Sequence, residues 1–183
     1  RRRAFLKQST CALGSAFGAT CFLSNVSLGA TSASWLSGYK DVSGTFGVVQ
    51  IGEDLKPTPL FQTQYRLHGI SKHPVKEQLV APSRRPGDEL FVFDLNEQSV
   101  RIIKAVSGRH YFGHGIFSVD GRYYYAVEND YEAEQGVVGV YDVQSNYKRI
   151  GEFPSGGIGP HEIKLHPDGL SLVIANGGIL THP

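Results

Sequence analysis

The sequence predicts an all-β protein with the architecture of a β-propeller, and three observations support this prediction. The tripeptide His-Gly-Ile at His68 returns at His114, 46 residues later, and His161 opens the related His-Glu-Ile after a further 47 residues. Short strand-like segments separated by Pro, Gly or Asp-Gly turns follow each histidine. The 22 glycines, nine tyrosines and ten phenylalanines suit turns and pleated surfaces. A four-stranded unit that recurs at such an interval is typical of a propeller blade.

The segments align strand by strand when the three histidines are placed in register. The units contain, in order, HGISKHP, QLVAPS, ELFVFDL and SVRIIKAV; then HGIFSVDG, YYYAVEND, GVVGVYDV and YKRIGEF; then HEIKLHPDG and SLVIANGG. Gly121 and Gly169 end the same Asp-Gly turn, which suits the positive φ of a tight hairpin. The apolar runs 90–93 and 137–140 are expected to be central strands covered on both faces. A β-sandwich also has short strands, but it gives no reason for a histidine to return at one place.

The segments before the first histidine predict part of another blade. Residues 45–51 and 60–65 have the pattern of a third and a fourth blade strand, and about two and a half blades follow them. A ring usually needs four to eight blades. We therefore expect residues 34–183 to be the N-terminal part of a longer WD40/YVTN-like propeller domain, about three blades of an incomplete ring.

The N-terminus has the composition of an export signal. Arg2 and Arg3 stand directly before Ala-Phe-Leu-Lys, as in the twin-arginine consensus, although Arg1 occupies a position where Ser or Thr is usual. The uncharged stretch that follows is too rich in Gly and Ser for a stable membrane anchor. We expect residues 1–33 to be cleaved after export by the twin-arginine translocase, which places the mature protein in the periplasm. The alternative is an amphipathic or membrane-anchoring N-terminal helix.

Cleavage of this signal would remove both cysteines and four basic residues from the chain. Cys11 and Cys21 both lie in the segment to be removed, so the mature chain would have no disulfide, thiol catalyst or covalent haem attachment. Fourteen of the 18 basic residues would remain against 17 acidic ones. This balance excludes a general nucleic-acid binder, which needs an excess of positive charge.

Three histidines form the first candidate site. The first strand of each blade lines the central channel of a propeller, so His68, His114 and His161 should converge at one end of that channel. Three neutral imidazoles and a water molecule can hold zinc or iron. Glu162 is expected to add an oxygen ligand or to orient an imidazole. The alternative is a repeated structural contact, in which each imidazole hydrogen-bonds to a backbone carbonyl of the next blade.

Polar residues at matching places in three blades form a second group of ligand-binding candidates. Arg84 and Arg85, in an Arg-Arg-Pro-Gly hairpin, have the geometry to bind a carboxylate or phosphate in bidentate fashion. Glu128 and Asn129 are expected in the corresponding hairpin of the next blade, where oxygen ligands suit calcium, although the regular calcium-loop spacing is absent. Asn176 is the third member. The alternatives are solvated hairpins and ion pairs between blades.

The motifs RRPG, GHG, ENDY and GPHE, together with HGISKHP, make the sequence similar to a bacterial twin-arginine-exported family, domain of unknown function 1513. The resemblance covers residues 38–183. It implies a periplasmic propeller similar to the seven-bladed quinoprotein amine dehydrogenase beta-chain-like type, in proteins about twice this long that are often encoded near iron-uptake proteins. It implies no particular reaction and no catalytic residues.

Three functions are compatible with these features. The first is a non-enzymatic periplasmic propeller that binds a ligand, a metal ion or a protein partner in iron acquisition through its histidine-lined face. The alternative is a metal-dependent propeller enzyme, a lactonase-like hydrolase or a dehydrogenase-like protein, in which the histidines and Glu128 or Glu162 hold a catalytic ion. The third is a purely structural partner that docks through a flat propeller face. The sequence has no Gly-x-Ser-x-Gly elbow, no phosphate-binding P-loop and no haem-attachment motif.

Overall fold

Strand-forming residues dominate positions 34–181, the part of the chain that the computed structural model describes. The regular elements of this part are β1 Trp35–Lys40, β2 Phe46–Ile51, β3 Pro57–Thr63, β4 Ser71–Lys72, β5 Gln78–Pro82, β6 Glu89–Asp94, β7 Ser99–Lys104, β8 Arg109–Phe117, β9 Tyr123–Asp130, β10 Gln135–Asp142, β11 Lys148–Pro154, β12 Pro160–Leu165 and β13 Leu172–Asn176. No helix among these residues is long and apolar enough to cross a membrane. The predicted export signal, residues 1–33 with Arg2 and Arg3, lies outside the described residues.

Consecutive strands pair antiparallel in four sheets, which we call blades 1 to 4. Blade 1 has the order β1-β2-β3, blade 2 β4-β5-β6-β7, blade 3 β8-β9-β10-β11, and blade 4 β12-β13. This meander is the topology of a propeller blade, so the predicted all-β propeller with an incomplete ring is confirmed. Blade 1 has one strand more than predicted, because β1 pairs with β2 along its whole length. Its sequence, WLSGYK, lacks the alternation of apolar and polar residues that would have indicated it.

The central strands of blades 2 and 3 are buried on both faces because each of these two blades packs between two others. In β6, Phe91 and Phe93 face a cluster shared with blade 1, whereas Leu90 and Val92 face a cluster shared with blade 3. A third cluster joins Val127 and other residues of blade 3 to blade 4. Burial of alternate side chains on opposite faces explains the uninterrupted apolar runs that the sequence shows at 90–93 and 137–140.

The first strands of blades 2 to 4 are neighbours. The amide of Gly69, just before β4, donates to the carbonyl of Gly113 in β8 at 2.7 Å, and the Ser71 hydroxyl donates to the carbonyl of Gly115 at 2.6 Å. β12 packs on the other side of β8. These contacts bring equivalent positions of three blades to one place.

His73 links blades 2 and 3 at the opposite end of these strands. Its side chain is 4% exposed, its Nε2 lies 3.0 Å from the carbonyl oxygen of Gly121, and its Nδ1 accepts the amides of Val75 and Lys76. Its ring also packs on Phe117 at 4.8 Å between centroids. Gly121 has φ 71°, and a Cβ there would lie 2.4 Å from the imidazole, so the Asp-Gly turn also makes room for this contact.

We expect His73→Ala to lower the free energy of unfolding by about 2–4 kcal/mol, because it removes a buried ring and its hydrogen bonds. Burial lowers the pKa of His73, although the Gly121 carbonyl opposes this effect. The unfolded state, with a histidine pKa near 6.5, therefore takes up the proton first as the pH falls. The contribution of His73 should be complete above about pH 6.5 and decrease below it, as measured by urea unfolding at several pH values.

His166→Ala is the matched control, because His166 occupies the same position of the repeat but its side chain is 52% exposed and, among residues 34–181, bonds only to Asp168 of its own turn. The free energy of unfolding of His166→Ala should differ little from that of the wild type at each pH value. Equal losses in the two variants would contradict the assigned role of His73.

Candidate metal centre

The structure brings His68, His114 and His161 together in what we call the histidine cluster. One ring nitrogen from each lies within 4.8 Å of the others. The ring centroids are 4.6 Å apart for His68 and His114, 5.1 Å for His114 and His161, and 5.5 Å for His68 and His161. Three nitrogens at this separation can bind one ion, since metal–nitrogen bonds of about 2.0–2.1 Å place two ligands of the same ion roughly 3.3 Å apart after a small rotation of the rings.

His114 and His161 lie at irregularities of their strands. His114 is within β8, between the paired residues Tyr111 and Gly115, where the register with β9 shifts. His161 is the second residue of β12, at a similar shift opposite β13. His68 precedes β4. A bulge turns a side chain away from the regular alternation of the strand, which explains why these imidazoles point toward each other.

Two glycines of the repeat make room for the histidines of the neighbouring blade. A Cβ on Gly69 would lie 2.8 Å from Nδ1 of His114, and a Cβ on Gly113 would lie 2.9 Å from Cδ2 of His68. Gly113 also has φ 109°, which L side chains rarely adopt. Gly69 and Gly113 therefore interlock with the histidines of the neighbouring blade, whereas Gly115, the glycine of the second His-Gly dipeptide, makes room for Tyr124, whose hydroxyl would lie 2.3 Å from a Cβ there.

The cluster favours neutral imidazoles, which have a lone pair for a metal ion. Burial lowers the pKa of His114 to about 4, although Glu162 opposes this shift. The pKa of His68 is lowered as well, first by burial and then by the positive electrostatic effect of His161 and three nearby arginines. His68 and His114 are therefore unprotonated at neutral pH.

Glu162 stands beside the cluster. Its Oε1 is 3.3 Å from Nδ1 of His114, accepts the amide of Ile163 at 3.0 Å and lies 3.5 Å from the ammonium group of Lys164. Burial would raise the pKa of Glu162, but the Ile163 amide, His114 and Lys164 outweigh it and lower that pKa. An ionised carboxylate on Nδ1 fixes the orientation of the His114 ring and leaves Nε2 for a metal ion.

The alternative role of the three histidines was a structural contact repeated between blades. It required each imidazole to hydrogen-bond to a backbone carbonyl of the next blade. Within residues 34–181, His68, His114 and His161 make no hydrogen bond to a backbone carbonyl, whereas His73 makes one. The link between blades thus belongs to a histidine that sequence reasoning did not single out. The signal was present, because His73 and His166 both stand five residues after a cluster histidine.

Arg84 and Arg85 lie in the hairpin between β5 and β6, as predicted. The guanidinium carbon of Arg85 is 4.7 Å from the centroid of the Phe112 ring in β8. The amide of Arg84 donates to the carbonyl of Arg66 at 2.8 Å. Arg66 thereby joins the group, although its sequence context gave no signal.

The prediction that Glu128 and Asn129 occupy a hairpin is wrong, because β9 continues through Asp130. Glu128 is fully buried between blades 2 and 3, where it accepts hydrogen bonds from Tyr141 at 2.5 Å and Arg149 at 2.8 Å. Burial raises the pKa of Glu128, against the opposing effects of Arg149 and Tyr141. Glu128 therefore belongs to an interior ion pair and not to the histidine cluster.

Asn129 and Asn176 are also apart from the cluster. Asn129 is 1% exposed, and its amide has no hydrogen-bond partner among residues 34–181. Asn176 ends β13, where its amide oxygen accepts the hydroxyl of Ser155 at 2.8 Å and its amide nitrogen donates to the Ser155 carbonyl at 3.1 Å. These bonds close the loop between β11 and β12.

Residues 61–183 match the family described as "Protein of unknown function (DUF1513)". The chain belongs to this family. No curated protein matches the sequence.

Several solved structures resemble the fold of this DUF1513 protein. They include a putative TolB from Agrobacterium tumefaciens (17% identity, TM-score 0.58, 82% of this chain and 53% of that one), a putative 6-phosphogluconolactonase from Bacteroides uniformis (15%, 0.54, 76% and 46%) and the calcium-binding protein regucalcin from A. tumefaciens (15%, 0.51, 75% and 51%). At such identities the likeness shows the fold alone. The chain spans about half the length of these structures.

Glu128→Ala should destabilise this DUF1513 protein without removing a ligand of the cluster. We expect a loss of about 3 kcal/mol in the free energy of unfolding, at the low end for a broken buried pair because Arg149 keeps Glu152 as a partner. Urea unfolding measures the loss. Asp88→Ala, which breaks the exposed pair with Lys104, is the control and should have little effect. A Glu128 variant as stable as the wild type would contradict the structural role.

Proposed function

We propose that this protein is a periplasmic propeller that binds one transition-metal ion through His68, His114 and His161. The observation that carries the proposal is the convergence of one nitrogen from each imidazole within 4.8 Å. Imidazole ligands suit zinc, iron, copper and nickel, whereas calcium and magnesium prefer oxygen ligands. The proposal therefore names a borderline transition metal, with zinc and iron as the first ions to test.

The periplasmic location and the link to iron acquisition are parts of this proposal. The twin-arginine pattern at Arg2 and Arg3 supports export of a folded protein, which suits a protein that acquires its metal before or during folding. The family resemblance supports a protein partner in iron uptake. Iron in the purified protein would favour a partner in iron uptake. Zinc in place of iron would argue against such a partner.

A second candidate function is metal-dependent hydrolysis, favoured by the composition of the cluster. Three protein ligands leave a coordination position for water or substrate, which is the arrangement of catalytic zinc sites. Glu162 is the carboxylate near this position, and Glu128 is not. Assays of lactone hydrolysis with the metal-loaded protein distinguish a hydrolase from a binding protein.

The first test is the metal content of the untagged full-length protein purified from a periplasmic fraction. We expect about one equivalent of zinc or iron by mass spectrometry, and loss of that metal in the His68→Ala/His114→Ala/His161→Ala variant with an unchanged circular dichroism spectrum. His166→Ala is the matched control, because it removes a half-exposed histidine outside the cluster. Equal metal contents in the wild type and the triple variant would refute the proposal.

Glu162→Gln tests how the carboxylate supports the metal. The change keeps the size of the side chain but removes the charge near Nδ1 of His114, so we expect metal affinity to fall about 10- to 100-fold. Competition with a chromophoric chelator measures the affinity. Glu97→Gln, in the exposed hairpin between β6 and β7, should bind metal like the wild type. An unchanged affinity in Glu162→Gln would remove Glu162 from the site.

A further inference from the structure

We infer that the metal ion of the histidine cluster binds an oxoanion, a carboxylate or phosphate group of a small molecule, which the guanidinium groups of Arg66, Arg84 and Arg85 hold at the same time. The inference rests on the proposed metal site. It adds the chemical class of the ligand that completes the coordination of the ion.

Arg66, His68 and Arg84 share one face of a short antiparallel ladder. Leu67 bridges to Ser83, and the amide of Arg84 donates to the carbonyl of Arg66 at 2.8 Å. Side chains alternate along a strand, and directly opposed residues share a face. Leu67 and Ser83 are buried, so the two arginines and His68 point away from the core, and all three are exposed.

Arg85 reaches the same region from the tip of the hairpin. Its guanidinium stacks on Phe112, two residues before His114 in the first strand of blade 3. Phe112 is fully buried, so it provides a fixed surface for the guanidinium. Stacking leaves the edge of the planar group available for hydrogen bonds to an anion.

These three arginines lack the carboxylate partners that two arginines of blade 3 have. Arg109 and Arg149 form ion pairs with carboxylates. Within residues 34–181, Arg66, Arg84 and Arg85 form no ion pair with a carboxylate and donate no side-chain hydrogen bond.

An anion would bind both to the metal ion and to the guanidinium groups of the three arginines. Neutral imidazoles leave a bound dication with its full charge and with a free coordination position. Guanidinium groups match carboxylates and phosphates in bidentate geometry.

The test is calorimetric titration of the zinc-loaded full-length protein with malonate and, separately, with inorganic phosphate. We expect at least one of them to bind, with affinity reduced about 10-fold or more in Arg66→Gln/Arg84→Gln while the zinc content stays at the wild-type value. Arg84→Lys should bind the anion more tightly than Arg66→Gln/Arg84→Gln but less tightly than the wild type, because lysine keeps the charge but lacks the planar guanidinium group. Preference for malonate assigns the carboxylate class, and preference for phosphate assigns the phosphate class.

Arg101→Gln is the matched control, because it removes the same charge from the outer strand β7, where Arg101 bonds to Asn146. Its anion affinity should equal that of the wild type. The inference is overturned if neither anion binds, if the arginine variants bind them as tightly as the wild type, if the zinc-free protein binds them equally well, or if the arginine variants lose zinc. Absence of zinc from the wild type would instead refute the proposed function, and the two failures are therefore distinguishable.

Discussion

Packing of blades 2 and 3 between two others is the constraint on which the rest of the structure depends. Because both faces of strands such as β6 are buried by apolar side chains, polar groups are confined to strand ends, hairpins and the edges of the first strands. The polar group that is fully buried at such a face, Glu128, is held by Arg149 and Tyr141. A site for a charged ligand is therefore favoured where the regular strands are interrupted, and His114 and His161 of the histidine cluster lie at two such interruptions.

The cluster shows how a repeat can produce a site that no single blade contains. Blades 2, 3 and 4 contribute one imidazole each, and the interlocked Gly69 and Gly113 set the distance between blades 2 and 3 at that point. A metal ion bound there would connect three blades, so binding would stabilise the folded state by an amount that grows with the logarithm of metal concentration over dissociation constant. The same residues would then serve both stability and ligand binding, whereas His73 serves stability alone.

The repeat allowed most of the fold to be predicted, because a histidine that recurs with turns and strands in register is a long-range signal in a single sequence. β1 was missed because its Ser and Gly residues hide the alternation. Glu128 was misplaced because a charged residue near a turn is usually solvated, and the arginine that neutralises it, Arg149, is 21 residues away. Arg66 was missed for a related reason, since only the pairing of Leu67 with Ser83 places it beside Arg84.

The distribution of charge connects these observations. Arginines and carboxylates of blade 3 neutralise each other, as in the pairs of Arg109 and Arg149 with Glu152. At the histidine cluster the described residues instead combine unpaired guanidinium groups with imidazoles that burial keeps neutral. Like charges that lie close together without counterions destabilise a folded protein. A guanidinium group without a carboxylate partner has no ion pair to offset this repulsion. Such an arrangement suits a metal ion with a negatively charged ligand, because the imidazoles would bind the ion and the guanidinium groups would bind the anion.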